Sequence, residues 1–162
     1  MSIFVQHPDI KGDASDKHHQ GWVVADSIKW QSGRQVTSST STRGDRESSN
    51  ASISDLILYK HMDKATPSTF MAACCGTGKD VEIHLTKTGA GQGTDTYMVY
   101  KLKNAIISHY DVAVKASSPF RPIEVIKISF VGIEMKYITY DEDNIALAPI
   151  AVGFDTSTNT KI

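Results

Sequence analysis

Chemistry in this chain would have to come from its histidines, cysteines, glycine-rich turns or paired carboxylates, and the spacing of each argues against catalysis. The six histidines, His7, His18, His19, His61, His84 and His109, are scattered. Only His18 and His19 are close, and adjacent side chains on an extended chain point apart, so no zinc site is expected. Cys74 and Cys75 are neighbours whose bridging would be strained, which predicts reduced thiols. Gly76-Thr77-Gly78-Lys79 spells the end of a phosphate-binding loop, but Ala73 stands at the first glycine position and Asp80 where Ser or Thr is needed. It also falls after a predicted helix and before a predicted strand, the reverse of the required order. It reads as a helix stop. Gly89-Ala90-Gly91-Gln92-Gly93 lacks G-x-G-x-x-G spacing and reads as a hairpin turn. Arg43-Gly44-Asp45 spells an adhesion tripeptide, which arises easily by chance in such a stretch. Asn50-Ala51-Ser52 is a glycosylation acceptor only in a secretory pathway. No nucleophile motif or carboxylate dyad is present, so no catalytic residue, metal or cofactor is predicted.

Composition narrows the remaining classes. A length of 162 residues fits one domain that buries about two-thirds of its unfolded surface. A net charge of −1 gives no field for nucleic acid or an anionic membrane. No apolar run approaches the roughly 20 residues of a membrane-spanning helix. The first residues, MSIFVQHPDIKGD, show neither the basic nor the apolar region of a secretory signal. Synthesis and folding in the cytosol are expected, with export by a signal-independent machine compatible with that.

The elements that would position any functional residue are mostly strands. Residues 123–140 (IEVIKISFVGIEMKYITY) are rich in β-branched and aromatic types and alternate in two phases. Ile126, Ile128 and Phe130 stand at even positions, then Val131, Ile133, Met135 and Tyr137 at odd ones. Strand side chains alternate with a strict period of two, so the slip predicts a bulge at 130–132, eased by Gly132. The chain is expected to be arranged around this long, bent strand in the wall of a closed or nearly closed barrel.

Residues 21–31 (GWVVADSIKWQ) also alternate. Trp22, Val24, Ile28 and Trp30 form an apolar face, and Val23, Ala25, Ser27, Lys29 and Gln31 the other. Residues 33–50 (GRQVTSSTSTRGDRESSN) are nearly all Ser, Thr, Gly and charge, which predicts an extended loop or a loose hairpin. One short helix is predicted over 66–75, with Thr66 as N-cap, Pro67 at the first helical position and Gly76 as a left-handed stop. Its Phe70, Met71 and Cys74 share one side. Further strands are expected at 2–5, 51–59, 79–86, 97–115 and 145–154, with a polar tail from 155. The fold class is therefore mainly β: a small barrel of two antiparallel sheets with one helix, in a single domain of residues 1–162.

In succession these pieces resemble the hemolysin-coregulated protein (Hcp) family, the inner-tube subunit of bacterial type VI secretion. One carrier is Ile10-Lys11-Gly12-Asp13 through Gly21-Trp22 to Ser27-Ile28-Lys29-Trp30. A second is Asp55-Leu56 followed by Asp63-Lys64-Ala65-Thr66-Pro67. A third is Leu102-Lys103-Asn104-Ala105-Ile106-Ile107-Ser108-His109-Tyr110 with residues 122–140. Val152-Gly153-Phe154-Asp155 is similar to the family's closing Gly-Trp-Asp, with Phe for Trp. The resemblance implies hexameric rings that stack into a tube, carry effector proteins in the lumen and are expelled when a contractile sheath acts behind a spike protein.

On this reading Trp22, Ile28, Trp30, Ile128, Phe130 and Ile133 are core residues. Ala25, Ser27, Lys29 and Gln31 form a short polar face suited to a water-filled lumen; the other possibility is that this face points outward. By position, the resemblance makes residues 33–50 an arm that reaches neighbouring subunits, with Arg34, Gln35, Arg43, Asp45, Arg46 and Glu47 as its contacts. The competing functions are a monomeric barrel that binds a peptide or small ligand, and a secreted effector with its own activity.

Overall fold

The structure is a computed structural model that describes residues 1–38 and 46–162. In chain order its elements begin with β1 (Ser2–Gln6), β2 (Val23–Ala25), β3 (Ser27–Lys29), β4 (Ser32–Gly33), β5 (Val36–Ser38), β6 (Arg46–Ser48), β7 (Ser52–Ile53) and β8 (Leu56–His61). The helix α1 (Thr66–Cys75) follows, then β9 (Lys79–Thr88), β10 (Thr94–Val112), β11 (Ile123–Ser129), β12 (Gly132–Tyr137), β13 (Ile150–Asp155) and β14 (Thr160–Lys161). All the strand pairs among the described residues are antiparallel.

β10 is the strand that turns the corner of the wall. Its first half pairs with β9 on one edge and β12 on the other, and its second half pairs with β11. Between Leu102 and Ala105 its register against β9 shifts, and Asn104 there takes φ 50°. Asparagine is among the few residues that tolerate this left-handed conformation. The Asp80 carboxylate holds it by accepting from the Asn104 N–H at 3.2 Å.

The bulge expected at 130–132 is instead a break. β11 ends at Ser129 and β12 starts at Gly132, with Phe130 and Val131 in neither. The phase change itself is present: Ile126 and Ile128 are buried, and so is Ile133 five residues after Ile128. The break falls where β10 bends at Asn104, and on both sides of it the chain follows the same edge of β10, with Ser129 facing Ile106 and Gly132 facing Lys103. The Val131 N–H bridges the gap to the Lys103 carbonyl at 3.0 Å.

Residues 21–31 change phase as well, which overturns their expected alternation. Val23 and Ala25 are buried opposite Val5 and Ile3 on β1, while Val24 is exposed. At Asp26, whose N–H donates to the Tyr59 carbonyl at 2.8 Å, the chain leaves β1 and joins β8. Ile28 and Trp30 then turn inward against the core. This corner links the two ends of the strand path β2–β1–β9–β10–β11–β8–β3 covalently, so the wall closes through the chain and not through a continuous ladder. Inside, Leu56, Ile83 and Leu102 are wholly enclosed. A residual cavity of about 20 Å³ beside Val5, Ile10, Val23, Leu58, Ile107 and Ile126 is room for about one water.

The helix has the expected span but different ends. Ala65 is the N-cap, because the Thr66 hydroxyl instead accepts from the Asp63 N–H at 3.1 Å. Gly76 is extended (φ −68°, ψ 153°), not left-handed. A glycine is still required there because a Cβ would run into the Ala72 carbonyl. Small residues face the barrel: Ala65 and Thr69 are buried, with Ala72 and Ala73 against the core. The Phe70, Met71 and Cys74 side is exposed. The last expected strand begins only at Ile150, and the polar tail folds back as β14. Its turn is built on Asp155, whose carboxylate accepts from the N–H groups of Ser157 and Thr158 and the Ser157 hydroxyl.

Candidate assembly surfaces

Strand alternation places Ser27 and Lys29 on the outer side of the wall, because Ile28 between them packs inward. Pairing extends their row across the sheet. Lys29 continues through Ile57 and Lys127 to His109, and Ser27 through Tyr59 and Val125 to Asp111. Gln31 is exposed just beyond, its N–H donating to the Ser54 hydroxyl at 3.0 Å. The face is thus polar with half-buried Tyr59, Ile57 and Val125. Ala25 does not belong to it. The phase change at Asp26 puts Ala25 in the core. Ile128 and Ile133 are also in the core, with Phe130 packed against them and Trp30 set edge-on to Tyr100 at 5.8 Å. Trp22 lies half-buried on the other side of the sheet, against His19 and His84.

The Ser/Thr-rich segment forms a two-stranded ribbon that leaves the barrel. β4 pairs with β7 and β5 with β6, and none of these four pairs with any other strand among the described residues. The Gln35 N–H donates to the Ser49 hydroxyl and the Ser49 N–H returns to the Gln35 carbonyl, both at 2.8 Å. Arg34 and Gln35 are exposed, and Arg46 and Glu47 stand on β6. Arg43 and Asp45, with the tripeptide they bound, lie outside the described residues. An isolated two-stranded ribbon is marginally stable in water, so packing against something else would be needed to fix it.

Exposed apolar side chains gather in two places. Val114, Phe120 (75 % exposed) and Ile123 lie around the connection from β10 to β11, and the exposed Phe70 reaches Tyr110 nearby. Tyr137, Ile145, Leu147, Ile150 (69 % exposed), Val152 and Ile162 lie on and around β13. Along β10 these groups fall toward opposite ends: the first around its last residues, where Val112 faces Glu124, and the second beyond Met98, which faces Tyr137. Single exposed apolar residues are ordinary, whereas clusters mark contact surfaces.

Two polar networks underlie these surfaces, and the sequence pointed to neither. Lys60 and Glu124 are wholly buried and paired at 2.6 Å, with Asp63 2.9 Å from the same ammonium. The Tyr110 hydroxyl donates to Glu124 at 2.7 Å. Burial and the Glu124 charge push the Tyr110 phenol up to about 12, so it remains a donor at neutral pH. On the outer side of β9, His19 and His84 meet although 65 residues separate them. No spacing rule could have joined them. Among the described residues no group of three or more His, Cys, Asp or Glu is arranged to hold a metal, and Cys74 and Cys75 are free and exposed. An open groove of about 520 Å³ runs past Asp13, Asp26, His61, Asp63, Phe120 and Arg121.

A family model described as "Type VI secretion system effector, Hcp" matches residues 4–137. No curated protein matches the chain. A solved structure described as a type six secretion system protein is 22 % identical, with a TM-score of 0.89 over 99 % of each chain. Hcp1 from Salmonella typhimurium is 18 % identical, with a TM-score of 0.76 over 99 % of this chain and 98 % of that one. A type VI secretion system effector from Yersinia pestis is 23 % identical, with a TM-score of 0.71 over 94 % of this chain and 98 % of that one.

Proposed function

The chain belongs to the Hcp family of type VI secretion effectors, and from that premise we propose that it is a non-enzymatic subunit of a hexameric ring that stacks into the secretion tube. The observation that carries this is the pair of separate apolar clusters, one around Phe120 and Ile123 and one on β13. A cyclic ring needs a heterologous contact, in which one patch of each subunit meets a different patch of the next. Two unlike clusters toward opposite ends of β10 would supply that requirement. The β13 edge is closed only by the two-residue β14, and a neighbouring subunit would cover it.

The competing reading, a barrel that holds a small ligand inside, is disfavoured by the filled interior, whose cavity is about 20 Å³. Ligand pockets are usually about 300–1,000 Å³.

Ser27, Lys29 and Gln31, with Lys127, His109 and Asp111 across the sheet, are assigned to the lumen wall. They give a polar surface over which folded effectors could slide. The ribbon with Arg34, Gln35, Arg46 and Glu47 is assigned to the joint between stacked rings, and Arg43 and Asp45, outside the described residues, are proposed for the same role from their place in the sequence. The spike protein, contractile sheath and effectors are the partners that this role requires. The subunit would assemble in the cytoplasm and leave with its cargo.

Size measurement of the purified protein tests the ring. A mass near six times 17.7 kDa is expected. A particle near one chain mass at all concentrations would overturn the ring and leave the monomeric binding module.

A further inference from the structure

Four ionisable groups lie end to end on the outer face of β9, beneath the loop of residues 11–22. Asp16 Oδ2 is 2.6 Å from His19 Nδ1, His19 Nε2 is 2.9 Å from His84 Nδ1, and His84 Nε2 is 2.7 Å from Glu82 Oε1. His19 is enclosed (1 % exposed), stacked on Phe4 at 4.4 Å and met edge-on by Trp22. Asp16 Oδ1 also accepts from the Thr94 hydroxyl at 3.1 Å. The cluster therefore joins the loop to β9 and to the first residue of β10.

Counting protons fixes the charge of this chain of groups. Each of the three contacts is a hydrogen bond only if it contains a proton, so the four groups must hold three between them. Two carboxylates and two neutral imidazoles hold two. In that state the protons sit on His19 Nδ1 and His84 Nε2, facing the carboxylates, and two bare nitrogen lone pairs face each other at 2.9 Å. The Thr96 hydroxyl, 3.4 Å from His84 Nδ1, could serve that nitrogen but would leave His19 Nε2 bare. Adding one proton fills every contact, with the imidazolium at His19 donating to both Asp16 and His84.

Neighbouring charges agree with that placement. Burial pushes the His84 imidazolium down, Glu82 pulls it back up, and a positive His19 and Lys136 lower it again, which leaves His84 as the neutral ring. Desolvation opposes the Asp16 charge, but hydrogen bonds from His19, the His18 N–H and Thr94 outweigh it and hold the carboxyl below its ordinary value.

We propose that Asp16, His19, His84 and Glu82 form a single-proton latch that holds the loop of residues 11–22 on the sheet and releases it as pH rises. The direction follows from the count. Above the ordinary histidine pKa of about 6.5 the closed latch keeps a proton that two free histidines give up, so its contribution is lost as pH rises. Below that pKa two free histidines hold two such protons against the latch's one, so the contribution also falls as pH drops. It would also fail in stronger acid, once Asp16 is protonated. The charged groups on the elements around it set the midpoint and not the count: Lys17 and His18 on the loop, Lys87 on β9, Asp95 and Lys101 on β10 and Lys136 on β12, of which Lys136 acts on His84. Lys101 is 3.8 Å from Glu82. The latch is independent of ring formation.

The Glu82→Gln variant separates this reading from a merely structural cluster. A glutamine amide can donate to His84 Nε2, which moves that ring's proton to Nδ1, where it donates to His19 Nε2. All three contacts are then filled by two neutral imidazoles. Amide hydrogen exchange in residues 14–22, corrected for intrinsic rates, is measured on the full chain from about pH 6.5 to 8, where free histidines are neutral. Wild-type loop opening should increase up to roughly tenfold per pH unit above the midpoint, and the variant should be flat. Imidazole ¹⁵N spectra of the wild type should show three nitrogen-bound protons on the pair at the acidic end and two at the other. Flat wild-type protection, an equal slope in the variant, or two neutral wild-type rings throughout would overturn the latch. If the variant does not fold, the wild-type ¹⁵N spectrum decides alone.

Discussion

Replacing Lys60 with methionine should be among the most damaging single changes in the barrel wall. Lys60 and Glu124 have no exposed side-chain surface, and their 2.6 Å contact ties β8 to β11. The same ammonium reaches Asp63 just before α1. Methionine preserves the stem's packing but strands the Glu124 carboxylate with only the Tyr110 and Thr66 hydroxyls as partners. Breaking a buried pair from one side costs about 3–5 kcal/mol. In a domain of this size that corresponds to roughly 6–20 °C in Tm. Replacing Lys60→Met together with Glu124→Leu and Tyr110→Phe should recover much of the loss, because the buried Glu124 charge is gone and Asp63, which loses the ammonium, still accepts from the Ala65 N–H.

The pH dependence gives an independent check. In the wild type, desolvation raises the Glu124 carboxyl, but hydrogen bonds from Lys60, Thr66 and Tyr110 and the Lys60 charge outweigh it and hold the group below its ordinary value. A depressed carboxyl stabilises above its unfolded pKa of about 4.3, and that stability is lost as pH falls through the folded value. Without Lys60 burial dominates, and the sign reverses. Urea denaturation of both proteins should therefore show a gap that narrows as pH falls toward about 4 and below. A single-variant cost under about 1 kcal/mol, or a gap independent of pH, would refute the reasoning.

Alanine at Ile128 or Ile133, both in the core, should cost about 2–5 kcal/mol in denaturation, whereas alanine at Lys127 or Glu134 should stay within about 0.5 kcal/mol. Equal costs at all four would contradict the two-phase wall. Tryptophan at Ser27 or Lys29 should leave rings intact by size while reducing effector retention; unchanged retention would put this face on the outside of the ring. Shortening residues 35–49 to a tight turn should spare the melting temperature and ring size but stop rings from stacking, as seen by negative-stain imaging. Exposed polar contacts of such an arm contribute only about 0–1 kcal/mol each, so six copies would be needed to hold a joint. Normal export of the shortened protein would show the arm to be dispensable.

The fold was legible where a pattern is local. Thr66-Pro67 and Gly76 framed the helix, and the parity change between Ile128 and Ile133 marked where the wall bends. The pattern could not say which of two paired strands absorbs a bend. That depended on Asn104 adopting a left-handed conformation against Asp80, a contact across 24 residues. The same limit explains Ala25. Its alternation with Ser27 looked continuous, but Asp26 hands the chain from β1 to β8, and changing ladders inverts the faces. Local periodicity therefore locates candidate surfaces only within one ladder.

That limit also shows where specificity resides in this wall. The apolar core is generic, since Leu, Ile and Val at alternating positions would suit many barrels. The buried polar pairs are not generic. Lys60 with Glu124 and His19 with His84 join residues 64 and 65 positions apart, and each is satisfied only when its strands are in the observed register. Slipping β8 against β11 by one residue would turn Lys60 outward and leave Glu124 without its cation, a penalty larger than that of any single misplaced aliphatic residue. The two networks thus act as register locks, one on each side of the Asp26 corner. In the proposed ring such locks matter more than in a lone barrel, because a register shift reaching β13 would move half of the proposed intersubunit contact out of alignment.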